Sequence, residues 1–239
     1  MTGSEIAKSG FALENTIEYV FNNNPDFRNA LCKIIDMPNN SLAETVDRQK
    51  HDIVITSPDG ALKKNLQVKR YNGQGFNQVD RRAVSKWSDT LAESYTEQLS
   101  KFTGREYYPV KKRVKPSQMS EDFKKSIHLF QEEIILSALM EHSNVDYFLF
   151  VDWSGKMTVA KDDDVVKLLL SEPLSISDKR TTICLGKHIT WQRKGGDGGK
   201  VTATDLQTKL KVGKVVEDLL SSNKAKNLDF AMYKKDYVD

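Results

Sequence analysis

Asp52, Gln67 and Lys69 are the residues whose types and spacing suggest chemistry; the amide and the amine lie 15 and 17 positions beyond the acid. Gln67 and Lys69 stand two apart in the run Asn65-Leu-Gln-Val-Lys69, so on a strand they point to one face. Asp52 opens a second strand-like run, Asp52-Ile-Val-Ile-Thr56, and Pro58-Asp59-Gly60 between them reads as a turn. An antiparallel hairpin over about residues 51–70 brings the acid beside the amide and the amine. That set suits hydrolysis of a phosphodiester. Asp52 holds Mg²⁺, a hard cation that prefers oxygen ligands and keeps several waters. Lys69 orients the attacking water or stabilises the charge that develops on phosphate. The same spacing also suits a solvated strand edge, and an amide brings no charge to a cation. On residue types alone both readings stand, with Asp59 as an alternative acid.

The surrounding chain reads as one α/β domain over residues 1–239, a central mixed sheet flanked by helices. Helices are predicted over residues 5–21 and 26–35, and long ones over 79–101 and 118–142. Val145–Trp153 and Met157–Ala160 read as strands, Asp162–Leu170 as a helix capped by its aspartates, and Ile189–Arg193 as a strand. Residues 203–210 suit helix or strand. With 38% hydrophobic and 29% charged residues, the chain has enough apolar material for a core. No apolar run approaches the roughly 20 residues of a membrane helix, and Met1-Thr-Gly-Ser-Glu5 has no secretory pattern, so no membrane partner is expected. Cys32 and Cys184 read as reduced core thiols, which fits a cytoplasmic protein. Trp87, Trp153 and Trp191 read as packing residues.

Five blocks carry a resemblance. Ala7-Lys-Ser-Gly-Phe-Ala-Leu-Glu14, Asn65-Leu-Gln-Val-Lys69, Gly75-Phe-Asn-Gln-Val-Asp80, Phe102-Thr-Gly104 and Gln192-Arg-Lys-Gly-Gly-Asp197, continuing to Leu206-Gln-Thr-Lys209, occur in this order. Together they resemble the HinP-type, GCGC-cutting type II restriction endonucleases of the PD-(D/E)XK nuclease superfamily, which place Gln-x-Lys where the superfamily has an acid. The resemblance implies the restriction-endonuclease-like fold and a catalytic set of Asp52, Gln67 and Lys69. It also implies Mg²⁺ held by Asp52 and the backbone carbonyl of Val68. Glu14 matches the first-helix glutamate that approaches the metal or its waters in many such nucleases; a solvated helical glutamate is the other reading. The chain departs from the family in carrying His51 where the family has serine, and in a shorter hairpin. By strand alternation His51 points away from the Asp52 face, which suits a structural or DNA-adjacent place.

The net charge of +3 hides an uneven map. Residues 14–47 hold six acids and two bases, whereas residues 101–125 hold eight bases and three acids. Basic segments can neutralise phosphates without reading sequence. Reading needs groups that reach base edges, and a region over about residues 187–212 offers Gln192, Arg193, Lys194, Gly195, Gly196, Asp197, Gln207 and Lys209. Phe76, Asn77 and Gln78 follow a glycine-bearing turn, where an aromatic tip can enter a groove. The expected partner is double-stranded DNA at a short, G·C-rich palindrome, GCGC by resemblance. The resemblance also implies a cognate DNA methyltransferase in the same system, and the expected state is a monomer or a weak homodimer. A mismatch- or structure-directed nicking nuclease and a catalytically silent DNA-binding protein are the alternatives.

Overall fold

The computed structural model describes residues 3–46, 51–87, 120–140, 144–176, 182–194 and 205–235. It has the expected α/β character, with a mixed sheet and flanking helices. The chain divides into two compact units. One comprises residues 1–75, 142–165 and 212–239, and the other comprises residues 76–141 and 166–211. Among the described residues no helix is long and apolar enough to cross a membrane.

The first unit is a six-stranded sheet built from β1 (Leu42–Thr45), β2 (Ile53–Thr56), β3 (Lys63–Tyr71), β5 (Tyr147–Asp152), β6 (Lys156–Lys161) and β11 (Ala225–Asp229), adjacent in that order. Only β3 and β5 run parallel; the other neighbours are antiparallel. Alternation along β3 sends Leu66 and Val68 into a core with Ile53, Leu149 and Val151. Two helices enclose that core. α1 (Gly3–Asn23) contributes Leu13, Ile17, Val20 and Phe21 at helical spacing, and α2 (Pro25–Ile35) contributes Phe27, Leu31, Cys32 and Ile35. α2 begins where the Asn24 side chain accepts from the N–H groups of Asp26 and Phe27, with proline at its first position. The opposite face of the sheet meets α6 (Val212–Ser221), whose Val212, Val215, Val216 and Leu219 are buried. A short α7 (Phe230–Lys234) follows β11 and sends Phe230 into the first core.

The second unit is an antiparallel sheet in the order β4 (Asn77–Ala83), β10 (Asp205–Leu210), β9 (Ile189–Lys194), β8 (Thr182–Cys184) and β7 (Ser175–Ile176). β4 replaces the helix expected from residue 79, and a single 3₁₀ turn follows over Val84–Trp87. The charged run Asp80-Arg-Arg82 suggests a solvated helix, but Asp80 and Arg82 stand two apart and share the buried face of a strand. Residues 88–119, with the rest of that helix and the basic loop, lie outside the described residues. The segment expected as one helix over 118–142 is two, α3 (Glu121–Leu129) and α4 (Gln131–Met140), separated at Phe130. Trp87 and Trp191 are fully buried and meet edge to face at 4.9 Å. Trp153, in the first unit, departs from its expected packing role: it is 44% exposed, with the Arg70 guanidinium 3.8 Å from its ring centroid. Cys32 and Cys184 are both free thiols, the first buried and the second half-buried. α5 (Asp162–Leu170) begins on its three aspartates, as predicted.

Candidate active site

The hairpin of β2 and β3 carries the chemistry-bearing residues. Its register pairs Ile53 with Leu66, and the Asp52 N–H donates to the Leu66 carbonyl at 2.8 Å. Asp52 thus bonds the residue that pairs with Ile53, so it stands at the irregular end of the ladder, beside Leu66. The Asp52 carboxylate accepts the Val68 N–H at 2.6 Å, a short charge-assisted bond that fixes its direction. Lys69 Nζ lies 4.0 Å from the same oxygen, Oδ2. At that distance the ammonium feels the carboxylate without donating to it. Both side chains keep partial access to solvent, 17% for Asp52 and 21% for Lys69. Gln67 is almost fully buried, on the face of β3 that Lys69 shares.

Beside this set runs a dry wall that the sequence reading passed over. In the parallel pair of β3 and β5, Gln67 adjoins Phe148 and Lys69 adjoins Phe150. The two rings are buried and stacked at 5.6 Å with planes 8° apart. Their two-residue spacing in Tyr147-Phe-Leu-Phe-Val151 was the available signal. Apolar walls lower the local dielectric, so charges here act on one another more strongly than in water.

The oxygen donors fit a magnesium ion in kind. Among the described residues no three His, Cys, Asp or Glu side chains gather as a metal-binding group. The hairpin instead offers one carboxylate at Asp52, the amide of Gln67 and the backbone of Val68. Because N–H and C=O of one residue lie on the same side of an extended strand, the Val68 carbonyl faces the Asp52 edge with its N–H. Hard neutral oxygens with one carboxylate suit a cation that keeps most of its waters.

Glu14 is half-buried on α1, and two neighbours locate it. The Asn22 side chain bonds both N–H and C=O of Ala43, and the Glu18 carboxylate accepts the Thr45 N–H at 3.1 Å. Four helical residues advance about 6 Å and two strand residues about 6.6 Å. Beyond Thr45 the Val46 N–H donates to the Asp52 carbonyl at 3.0 Å, and Glu14 lies one helical turn before Glu18. Glu14 therefore lies toward the Asp52 end of the hairpin. His51 is buried. Burial, and then the Lys63 charge, hold its imidazole below the ordinary range against the pull of Asp52 and Asp146. Asp59 braces the far turn, accepting from Ser57 Oγ and the Ala61 N–H, and is remote from Lys69 along the hairpin.

The residues read as DNA contacts fall in the second unit. Phe76 is 42% exposed, so it is not a core anchor, and Lys211 Nζ lies 5.0 Å from its ring centroid. Gln78, Gln192 and Gln207 come together on three adjacent strands. Gln192 Nε2 donates to Gln207 Oε1 at 3.0 Å, and Gln207 Nε2 donates to Gln78 Oε1. Lys209 and Thr190 pair on the same face, next to Gln207 and Gln192. Arg81 also lies there and bonds Asp205 at 2.8 Å, a pair the sequence reading did not single out. Asn77 pairs with Leu210 on the opposite face. Arg193 and Lys194 take the last two positions of β9, with Arg193 across from Leu206 and Lys194 across from Asp205. Gly195, Gly196 and Asp197 lie outside the described residues. No protein-family model and no curated protein matches this chain.

Proposed function

We propose that the chain is a Mg²⁺-dependent type II restriction endonuclease of the PD-(D/E)XK fold, hydrolysing double-stranded DNA at a short palindrome. The observation that carries this reading is the hairpin itself: Gln67 and Lys69 share one face of β3, the Asp52 carboxylate accepts the Val68 N–H, and Lys69 Nζ lies 4.0 Å from that carboxylate. A bound Mg²⁺ would lower the pKa of a coordinated water and offset charge on the phosphate. Asp52 and the Val68 carbonyl would hold that ion, with Gln67 adding a neutral oxygen and Glu14 reaching its waters. Asp52 is kept in direction by the Val68 N–H, so it does not reorganise as charge builds. Lys69, next to the Phe150 wall, places a cation where the attacking oxygen and the scissile phosphate meet. The second unit supplies the reading face. A cytoplasmic location, and a methyltransferase that protects the host's copies of the site, follow from the same proposal.

The test is digestion of a mixed-sequence plasmid with Mg²⁺, with every cut end mapped. One recurring palindrome is the expected outcome. Ends tied to mispairs or junctions would point to a structure-directed nickase, and binding without cutting to a silent DNA-binding protein. Lys69→Ala should lower the cleavage rate by about 10²–10³-fold while duplex binding without metal stays within a few-fold of the parent. EDTA should stop cutting by the parent. A Lys69→Ala protein that cuts at the parental rate would show that the hairpin is not the active site.

A further inference from the structure

The three glutamines of the second unit are not equivalent. Gln207 is 3% exposed, whereas Gln78 is exposed and Gln192 half-buried. A buried amide makes poor contact with a large ligand, yet it costs stability unless both its ends are bonded. Gln207 meets that need by accepting from Gln192 and donating to Gln78. The chain of amides therefore has one sense: the carbonyl of Gln78 is engaged, and so is one hydrogen of the Gln192 amide. What the pair turns outward is the NH₂ group of Gln78 and the carbonyl of Gln192.

A strand irregularity makes this possible. Asp80 and Arg82 face the interior opposite Thr208 and Leu206, and a regular strand would send Gln78 to that side with them. The register shifts between Thr208 and Lys209, so Gln78 pairs with Lys209 and Val79 is the extra residue. Such bulges re-aim a side chain. Here the bulge moves Gln78 onto the polar face, within reach of Gln207.

We propose that Gln207 is a positioning residue for sequence reading: it touches no base, but fixes which end of the Gln78 and Gln192 amides meets the DNA. This rests on the DNA-reading function proposed above. A free amide rotates by half a turn at small cost and offers either a donor or an acceptor, so it discriminates poorly between base edges. A tethered one presents a single pattern. Guanine shows two acceptors in the major groove where adenine shows an acceptor and a donor, so a donor-first Gln78 separates the two purines.

The experiment is selection from a pool of random duplexes, without divalent metal, by the parent, Gln207→Met, Gln207→Glu and Gln78→Met, followed by sequencing of the bound DNA. Thermal melting and affinity for one fixed non-cognate duplex are measured alongside. The parent should enrich a motif. Gln207→Met should lose enrichment at one or two positions by roughly ten-fold or more. Gln207→Glu, which can only accept, should invert the Gln78 amide and change the base preferred at one of those positions. Gln78 is exposed, so Gln78→Met keeps the test valid if the Gln207 variants melt early; it should loosen a position that Gln207→Met also loosens. A parental motif unchanged in Gln207→Met and Gln78→Met overturns the positioning role while DNA reading stands. A parent that enriches nothing overturns both.

Discussion

Single residues in the hairpin show what a sequence can and cannot convey. That Gln67 and Lys69 share a face follows from their two-residue spacing, and the Pro58-Asp-Gly60 turn suffices to bring Asp52 to them. Asp52 lies at the Lys69 end of the hairpin, whereas Asp59 braces the far turn. The carboxylate bond from the Val68 N–H is not legible, because a backbone donor carries no residue-type signal. Asp162 shows a related gap. Its place at a helix start reads as capping, yet burial outweighs the backbone N–H of Asp163 and, with the charges of Asp163 and Asp146, pushes its carboxyl above the ordinary 3.8. The folded state then holds the proton more tightly than the unfolded one. Stability contributed by this group is fully present below 3.8 and is lost as pH rises through the raised value. Asp162→Asn should therefore melt like the parent near pH 3 and somewhat above it at neutral pH, as followed by calorimetry across that range. A gain of the same size at every pH would assign the effect to packing instead of ionisation.

Among the elements, those with clean periodicity were readable: α1, α2, α5, β2, β3, β5, β6 and β9 appear where apolar spacing and turn residues predict them, with ends shifted by a few residues. β4 was not readable. Its Asp80 and Arg82 are buried as a pair, Nε to Oδ2 at 3.0 Å, and a buried charge pair looks like solvated surface in a one-dimensional pattern. The bulge that re-aims Gln78 was hidden for a different reason, being set by pairing with β10, far away in sequence. At the N-terminus of α6 the backbone comes close to another element. A Cβ on Gly213 would lie 2.2 Å from the Gly73 carbonyl oxygen and 3.4 Å from Tyr71 Cε2. Gly73 itself has φ of +59°, which fixes the turn that follows β3. Because backbone cannot yield as a flexible side chain does, Gly213→Ala should cost about 1–3 kcal/mol, measured by urea unfolding. If its midpoint matches the parent, the approach of α6 to the Asn72–Gly75 turn is looser than the geometry states.

Across the whole molecule both units have apolar interiors, and the second adds buried charge. The first relies on an apolar core of helix and sheet side chains. The second buries an ionic network: Arg82 bonds Asp80 through two nitrogens, donates to Ser137 Oγ and its carbonyl, and lies 4.5 Å from the Trp87 ring centroid. Removing one partner strands a buried charge, so Arg82→Ala should lose about 3–5 kcal/mol. Fluorescence of Trp87 and Trp191 should show their surroundings opening at lower urea than in the parent; an unchanged midpoint would mean that Asp80 finds water or another cation. The path of the chain has a separate consequence. β3 ends at Tyr71, its parallel neighbour β5 begins at Tyr147, and the edge strand β11 arrives only at Ala225. During synthesis at about 5–20 residues per second, the hairpin emerges and then waits several seconds, on this rate, for its neighbour. Throughout that interval the inner edge of β3 is an open row of backbone donors and acceptors beside Leu66 and Val68, open to pairing with other nascent chains. The order of the strands thus makes ribosome pace and chaperone supply part of what determines the yield of folded protein.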